Sequence, residues 1–314
     1  GALRASEAVV AAVETRGGHG AEARGRCQAG RSCRRNSAAQ RLTSAFVDSL
    51  TSVIVLRVER ISIIGSGRLA GALAIALSRA DYRIDQVVYH INLPANLAPH
   101  LDAATAFVRL DELSAVDSDI AIISVADTAI AETAAAIARV LRPGSVLLHT
   151  SGALSSEILS AAVDRGVDIG SMHPLVSVSD QVAGADAFTG AYFCVEGTEK
   201  AAAAAHRMAS SLKATAFSIE SRFKPLYHAA AVLASGHLTT LFSAAVRSLS
   251  ECGVAPDEAR KILLPLAASA LRNLRDQPPE SALTGPFARA DLEALDRHLE
   301  SFDEAGLGRE RTLY

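Results

Sequence analysis

Tryptophan is missing from the 314 residues, and Phe and Tyr together supply only 4% of them. Single-stranded nucleic acids are held by aromatic stacking platforms and basic grooves, and a net charge of −3 offers no basic surface either. Nucleic-acid partners are therefore not expected. Cysteine is nearly as scarce. Cys27, Cys33, Cys194 and Cys252 contain no C-x-x-C pair, so the chain has no disulfide framework and no metal site of the zinc type, and a reducing compartment is expected. The longest apolar stretches are strand-sized or interrupted by polar residues, which argues against a membrane span. What is plentiful is alanine, within a hydrophobic content of 49%, and the length allows two domains with cores of their own.

Residues 1–55 read as a separate Arg/Ala-rich extension. The first 50 residues hold eight Arg, no Lys and four acids, a balance of +4 that leaves the rest of the chain at −7. Gly17-Gly18-His19-Gly20 and Arg31-Ser32-Cys33-Arg34-Arg35 have the composition of disordered chain, with short helices expected at 6–14 and 38–50. The expected location is cytoplasmic, and an organelle-import leader within residues 1–50 is the alternative.

From residue 56 to 219, short apolar strands alternate with helices, the pattern of an open, mostly parallel sheet. Strands are expected at 60–64, 86–89, 106–108, 119–125, 145–149, 168–172, 191–195 and 214–219. Helices are expected at 70–78, 128–140 (with Asp127 as cap), 155–164 and 199–212. Residues 220–314 lose the strand rhythm and carry long helical patterns at 223–252, 255–275 and 287–304. The expected fold class is α/β, a Rossmann-type sheet domain followed by an all-helical domain.

The first strand runs directly into Gly65-Ser66-Gly67-Arg68-Leu69-Ala70. A G-x-G-x-x-[GA] turn between strand and helix suits a dinucleotide: Gly65 permits the bend, Gly67 lets a diphosphate approach the backbone, and Ala70 allows close helix packing. An acid at the end of the second strand would hold the ribose of NAD. That strand ends in Tyr89-His90-Ile91-Asn92, and Asp85 sits at its other end, so NADP is favoured over NAD, with Arg68 and Asn92 facing the 2′-phosphate. Three further strand ends converge on the same cleft. Val125-Ala126-Asp127 is small enough for close approach, Thr150-Ser151-Gly152 offers hydroxyls for cofactor or helix caps, and His173 is a substrate-side candidate. On the first long helix, Lys224, Tyr227 and His228 share a face at i, i+3 and i+4, and each residue type can donate a proton to a reduced C=O or C=N. Ser235 continues that stripe.

Ile64-Gly65-Ser66-Gly67-Arg68, Val125-Ala126-Asp127, His149-Thr150-Ser151-Gly152-Ala153-Leu154, His173-Pro174-Leu175, Tyr227-His228-Ala229-Ala230-Ala231 and Leu283-Thr284-Gly285-Pro286 occur in this order. In this combination, over residues 57–304, the chain resembles the Rossmann-like, domain-of-unknown-function-2520 family. It is similar more distantly to ketopantoate reductase, 6-phosphogluconate dehydrogenase and pyrroline-5-carboxylate reductase. The resemblance implies an NAD(P)-binding domain, a helical domain that forms a homodimer, and Lys224 as proton donor. It departs from the family at Gly236, where an Asn is usual, at Ala290 within Arg289-Ala290-Asp291, and at Ile91, where an Arg is usual. Arg289 and Asp291 read either as a substrate anchor or as a structural pair. The expected activity is NADP(H)-dependent reduction of a small carbonyl or imine, such as the 2-oxo acid ketopantoate, with His228, Ser151 and Arg289 orienting the substrate. A non-catalytic dinucleotide sensor is the alternative, for which Gly236 speaks.

Overall fold

The computed structural model describes residues 58–92 and 96–314. The expectations for residues 1–55 lie outside the described residues. Eight strands form one sheet in the order β3-β2-β1-β4-β5-β6-β7-β8. Strands β1 (Arg60–Ile64), β2 (Arg83–Tyr89), β3 (Ala106–Arg109), β4 (Ile120–Ile123), β5 (Val146–His149) and β6 (Asp168–Pro174) run parallel. β7 (Tyr192–Gly197) is antiparallel to β6, and β8 (Thr215–Phe217) runs with β7. This is the doubly wound order, with a switch point between β1 and β4.

Alternation along each strand divides the core. Ile61 and Ile63 face α1 (Arg68–Arg79) and α4 (Glu199–Ser211), packing with Leu73, Leu77, Ala205 and Met208. Ile64, Ile123 and Leu147 face α2 (Ile130–Ala138) and the 3-10 helix Ser156–Arg165, packing with Ile137 and Leu159. Each fully buried Leu or Ile contributes about 1.5–3 kcal/mol. A short helix, α3 (Gln181–Gly184), lies between β6 and β7 and packs on α1.

Register sets the carboxyl edge of the sheet. Ile64 pairs with Ile123, Ile123 with His149, and His149 with Ser171, so the loops after β1, β4, β5 and β6 leave at one level. The antiparallel β7 then places Glu196 opposite Ser171 and Cys194 opposite His173.

Beyond Ser221 the chain is helical: α5 (Lys224–Val232), a π-turn at Leu233–His237, α6 (Leu238–Glu251), α7 (Pro256–Asp276), α8 (Pro279–Ala282), α9 (Gly285–Arg289), α10 (Leu292–Glu304) and α11 (Gly308–Leu313). Gly253, at φ +86°, ends the first long helix as its position suggests. The third long helix expected at 287–304 is instead two, because Ala290 adopts φ +50° and Asp291 caps α10 through Ala294 N–H at 3.1 Å. Asp127 is a second correction. It opens a 3-10 turn, and α2 begins later, at Ile130, with Ala129 in the cap position and no side-chain cap.

Among the described residues, the stretch Ser221–Glu251 is long and apolar enough to cross a membrane, at a mean hydropathy of 1.5, where the sequence pattern suggested no such run. Its start is tied to the sheet, as the site shows.

Candidate functional site

A cleft of about 1080 Å³ runs along the carboxyl edge of the sheet. This is at the top of the usual range for small-molecule and cofactor sites. Gly65, Ser66, Gly67, Arg68, Leu69, Asn92, Val125, Ala126, Asp127, Thr150, Ser151, Gly152, His173 and His228 all line it. Sequence spacing thus brought fourteen named positions to one surface. Lys224, Tyr227, Ser235, Arg289 and Asp291 are not on that surface.

The two glycines of the β1–α1 turn are glycine for different reasons. Gly65 has φ +129°, and a Cβ there would lie 2.2 Å from the Ser124 carbonyl oxygen, so the fold itself forbids a side chain. Gly67 has φ −70° and nothing within 4 Å of a built Cβ. The fold does not require glycine at 67, and the backbone there is open to the cleft. Helix α1 starts at Gly67 with no side-chain cap and no acid in its first turn, leaving N–H groups for an anion. The residues present therefore fit a dinucleotide diphosphate.

At the other end, Gly152 is the contact point of two imidazoles. A Cβ on Gly152 would lie 2.5 Å from His228 Nδ1 and 2.8 Å from His173 Cε1. His173 Nδ1 and the Tyr227 hydroxyl are 2.7 Å apart, and the rings of His173 and His228 meet edge to face. Burial, reinforced by His228 and Lys224, lowers the His173 pKa to about 4, so the ring is neutral at pH 7. Tyr227 is pushed above the ordinary tyrosine range, chiefly by burial and then by Cys194. His228 Nδ1 is buried with no hydrogen-bond partner in the protein.

Beneath the cleft floor, Lys224 is fully buried. Its Nζ donates to Ser171 Oγ and to the Ser151 carbonyl oxygen at 3.3 Å, and stands 3.7 Å from a Glu196 carboxylate oxygen. Glu196 in turn accepts from Ser156 N–H at 2.7 Å and from the Ser156 hydroxyl at 2.8 Å, capping the 3-10 helix. Burial pulls the Lys224 pKa down while Glu196 opposes the shift. The ammonium is enclosed by protein, so the expectation that it donates a proton to substrate does not match its placement. It fastens the first turn of α5 to the sheet, where Pro225 at N1 or N2 needs no donor. That fastening holds Tyr227 and His228 at their i+3 and i+4 positions.

His149 makes a second internal support. Its Nδ1 accepts from Ser151 N–H at 3.1 Å and its Nε2–H donates to the Ser155 carbonyl at 3.2 Å, which fixes the neutral tautomer. Burial lowers its pKa to about 4. Ser151 Oγ accepts from Ala153 and Leu154 N–H, both at 3.2 Å, while Thr150 donates to Ser124 Oγ at 3.1 Å. These hydroxyls thus serve the turn and still line the cleft. Ser235 returns its hydroxyl to the Ala231 carbonyl at 2.8 Å on an exposed helix face. Arg289 is exposed at the end of α9, and Asp291 caps α10.

Sequence reasoning missed Glu196, Ser171 and Gln181. A carboxylate at the fifth position of the apolar run Tyr192–Gly197 was a usable signal, since a charge in a buried strand needs a partner. Gln181 lies in a segment without pattern and gave none.

Lys224→Met is expected to lower the unfolding free energy by about 3–5 kcal/mol, because it strands a buried carboxylate, and Lys224→Met with Glu196→Gln should recover part of that loss. Equal denaturation midpoints for wild type and the single variant would contradict the joint. The two neutral imidazoles add a pH dependence. Their folded pKa values near 4 lie below the unfolded value of about 6.5, so unfolding takes up protons between these limits. Thermal stability should hold from pH 9 to 7 and fall as pH drops from about 6.5 towards 4; a melting temperature unchanged down to pH 4.5 would refute the neutral assignment.

The profile of the Rossmann-like domain matches residues 48–174, and that of the domain of unknown function DUF2520 matches residues 191–314. No curated protein gives a significant match. Among solved structures, a Bacteroides fragilis protein described as a “putative NADP oxidoreductase” is 26% identical. It has a TM-score of 0.68, with 82% of this chain and 96% of that one covered. Pyrroline carboxylate reductase from Plasmodium falciparum, solved with NADP bound, has a TM-score of 0.55 at 11% identity over 81% of this chain and 98% of its own. An imine reductase from Pseudomonas sp. has a TM-score of 0.55 at 16% identity over 80% and 88%. The last two share the fold. The chain is thus similar to a Rossmann-like domain over its first matched stretch and to the domain of unknown function DUF2520 over its second.

Proposed function

We propose that the chain is an NADP(H)-dependent reductase of a small carbonyl or imine substrate. The observation that carries this reading is the continuity of one cleft from the open backbone at Gly67 to the imidazoles of His173 and His228 beside Gly152. A reduced nicotinamide bound there supplies the hydride. The chain's own residues do the rest. The turn at Gly67 and the start of α1 receive the diphosphate, with Arg68 adding positive charge. His90, Ile91 and Asn92 line the adenosine end without a carboxylate, while Asp85 is taken up by Arg83 at 3.0 Å and Arg60 at 3.4 Å, which favours a 2′-phosphate. His228, whose ring lines the cleft, delivers the proton to the substrate oxygen or nitrogen and takes up another from water. His173, kept neutral and held by Tyr227, orients the substrate, and Lys224 positions the helix. Ser235 and Gly236 do not line the cleft, so the missing amide at 236 removes nothing from this surface and does not favour the sensor reading.

We further propose that the working form is a homodimer. Leu226, Leu233, Leu241, Leu266 and Leu274 are exposed on α5, α6, α7 and the π-turn, the first by 70%. A face this apolar on helices fastened to the sheet suits a second copy of the chain.

NADPH titration followed by nucleotide fluorescence should give saturable binding, tighter than for NADH. Gly67→Ala should weaken it at least tenfold at unchanged thermal stability, since a methyl there meets no protein atom. In oxidation of NADPH by cyclic imines and 2-oxo acids, His228→Gln should cost at least a hundredfold in kcat with NADPH affinity within twofold. Absent binding at millimolar NADPH, or an undiminished His228→Gln rate, would overturn the respective half. In sedimentation, the wild type should run as a dimer and Leu233→Glu with Leu266→Glu as a folded monomer; a monomeric wild type would remove the dimer.

A further inference from the structure

Gln181 is the first residue of the short helix α3, far in sequence from every glycine motif. It nevertheless reaches the β1–α1 turn. Its Nε2 donates to the carbonyl oxygens of Ser66 at 2.9 Å and Gly67 at 3.2 Å. Two carbonyls can be met only by the amino end of a carboxamide, so the orientation of the side chain is fixed by chemistry. The side chain is only 9% exposed and lines the cleft. It lies flat on α1 at Gly71, where a Cβ would come within 2.6 Å of the Gln181 amide carbon. Asp180 braces it by accepting from Val182 N–H at 2.8 Å and Ala183 N–H at 2.9 Å, which fixes the backbone on which Gln181 sits. With Nε2 engaged, Oε1 is left as a buried acceptor with no donor in the protein.

A buried amide oxygen without a donor destabilises the empty cleft, so a bound partner that donates to it is favoured over one that does not. The cleft narrows the choice of donor. Phosphate oxygens at the turn accept and cannot donate. The segment carrying Gln181 follows β6, the strand that ends with His173, whereas His90–Asn92 follow β2, on the other side of β1 in the sheet order. We infer that Gln181 is a positioning and specificity residue for the dinucleotide: Nε2 fixes the glycine turn, and Oε1 accepts from an O–H or N–H donor on the nicotinamide-riboside half. The inference rests on the dinucleotide reading above. It makes the cleft selective for the complete cofactor over its adenosine half, through a residue outside the glycine motif.

The test is binding, independent of turnover. Wild type, Gln181→Met and Gln181→Asn are titrated with NADPH by fluorescence and with AMP by NMR shift perturbation, and apo melting temperatures are recorded. Methionine keeps the length and loses both hydrogen-bonding ends; asparagine keeps the amide and withdraws it by one methylene, which guards against a methionine variant that fails to fold. The expected result is a rise of at least tenfold in the NADPH Kd for each folded variant, with the AMP Kd changed less than twofold. Unchanged NADPH affinity would overturn the inference. So would equal weakening of NADPH and AMP, which would mark a general disturbance of the turn. Wild type that fails to bind NADPH would overturn the dinucleotide reading and this inference together, and that outcome is told apart by the wild-type titration alone.

Discussion

An ammonium group buried at the edge of a sheet is stable only where acceptors surround it, and Lys224 has three. Ser151 offers a carbonyl from the loop after β5, Ser171 a hydroxyl from β6, and Glu196 a carboxylate from β7. The contacts draw together three consecutive strands. They also fix the first turn of α5, and with it the bearing of the long helix that follows. His228 reaches the cleft, and Tyr227 reaches His173 on its wall, because Lys224, three or four positions earlier, is anchored below. The helical region and the sheet therefore meet at a charged joint, and the chemistry proposed for the cleft inherits its geometry from that joint.

The opposite end of the cleft is built from backbone. A positive φ at Gly65 lets the chain leave β1 and enter α1 without colliding with Ser124, and Gly67 leaves a bare surface above an uncapped helix start. Gln181 reinforces this turn from outside the motif, as Glu196 reinforces the 3-10 helix from outside the loop it caps. Polar groups held at one atom and free at another recur along the cleft: the Gln181 carboxamide, the Ser151 hydroxyl and the Tyr227–His173 pair.

Much of this was legible in the sequence. Short continuous apolar runs marked every strand to within a few residues, because a parallel sheet buried on both faces leaves little choice of residue type. The glycine motif and the residues just after β4, β5 and β6 were legible because doubly wound sheets place ligands beyond their strand ends. The direction of a single side chain was not. Lys224 has the spacing of a cleft residue, yet its long side chain turns inward because an acid on the antiparallel strand β7 waits opposite Ser171, a pairing that no local pattern reveals. Ser235 followed the same helical stripe but returned its hydroxyl to its own backbone. The break at Ala290 escaped notice because an alanine, unlike Gly or Asn, carries no signal of a positive φ. Gln181 was invisible because its partners are main-chain carbonyls more than a hundred residues away.

The most direct test of the central claim is a crystal structure of the chain grown with NADP⁺. The account predicts the diphosphate against Gly67 at the start of α1 and the nicotinamide ring beside Gly152, within reach of His173 and His228. A nucleotide seated elsewhere on the molecule, or a nicotinamide directed away from Gly152, would contradict it.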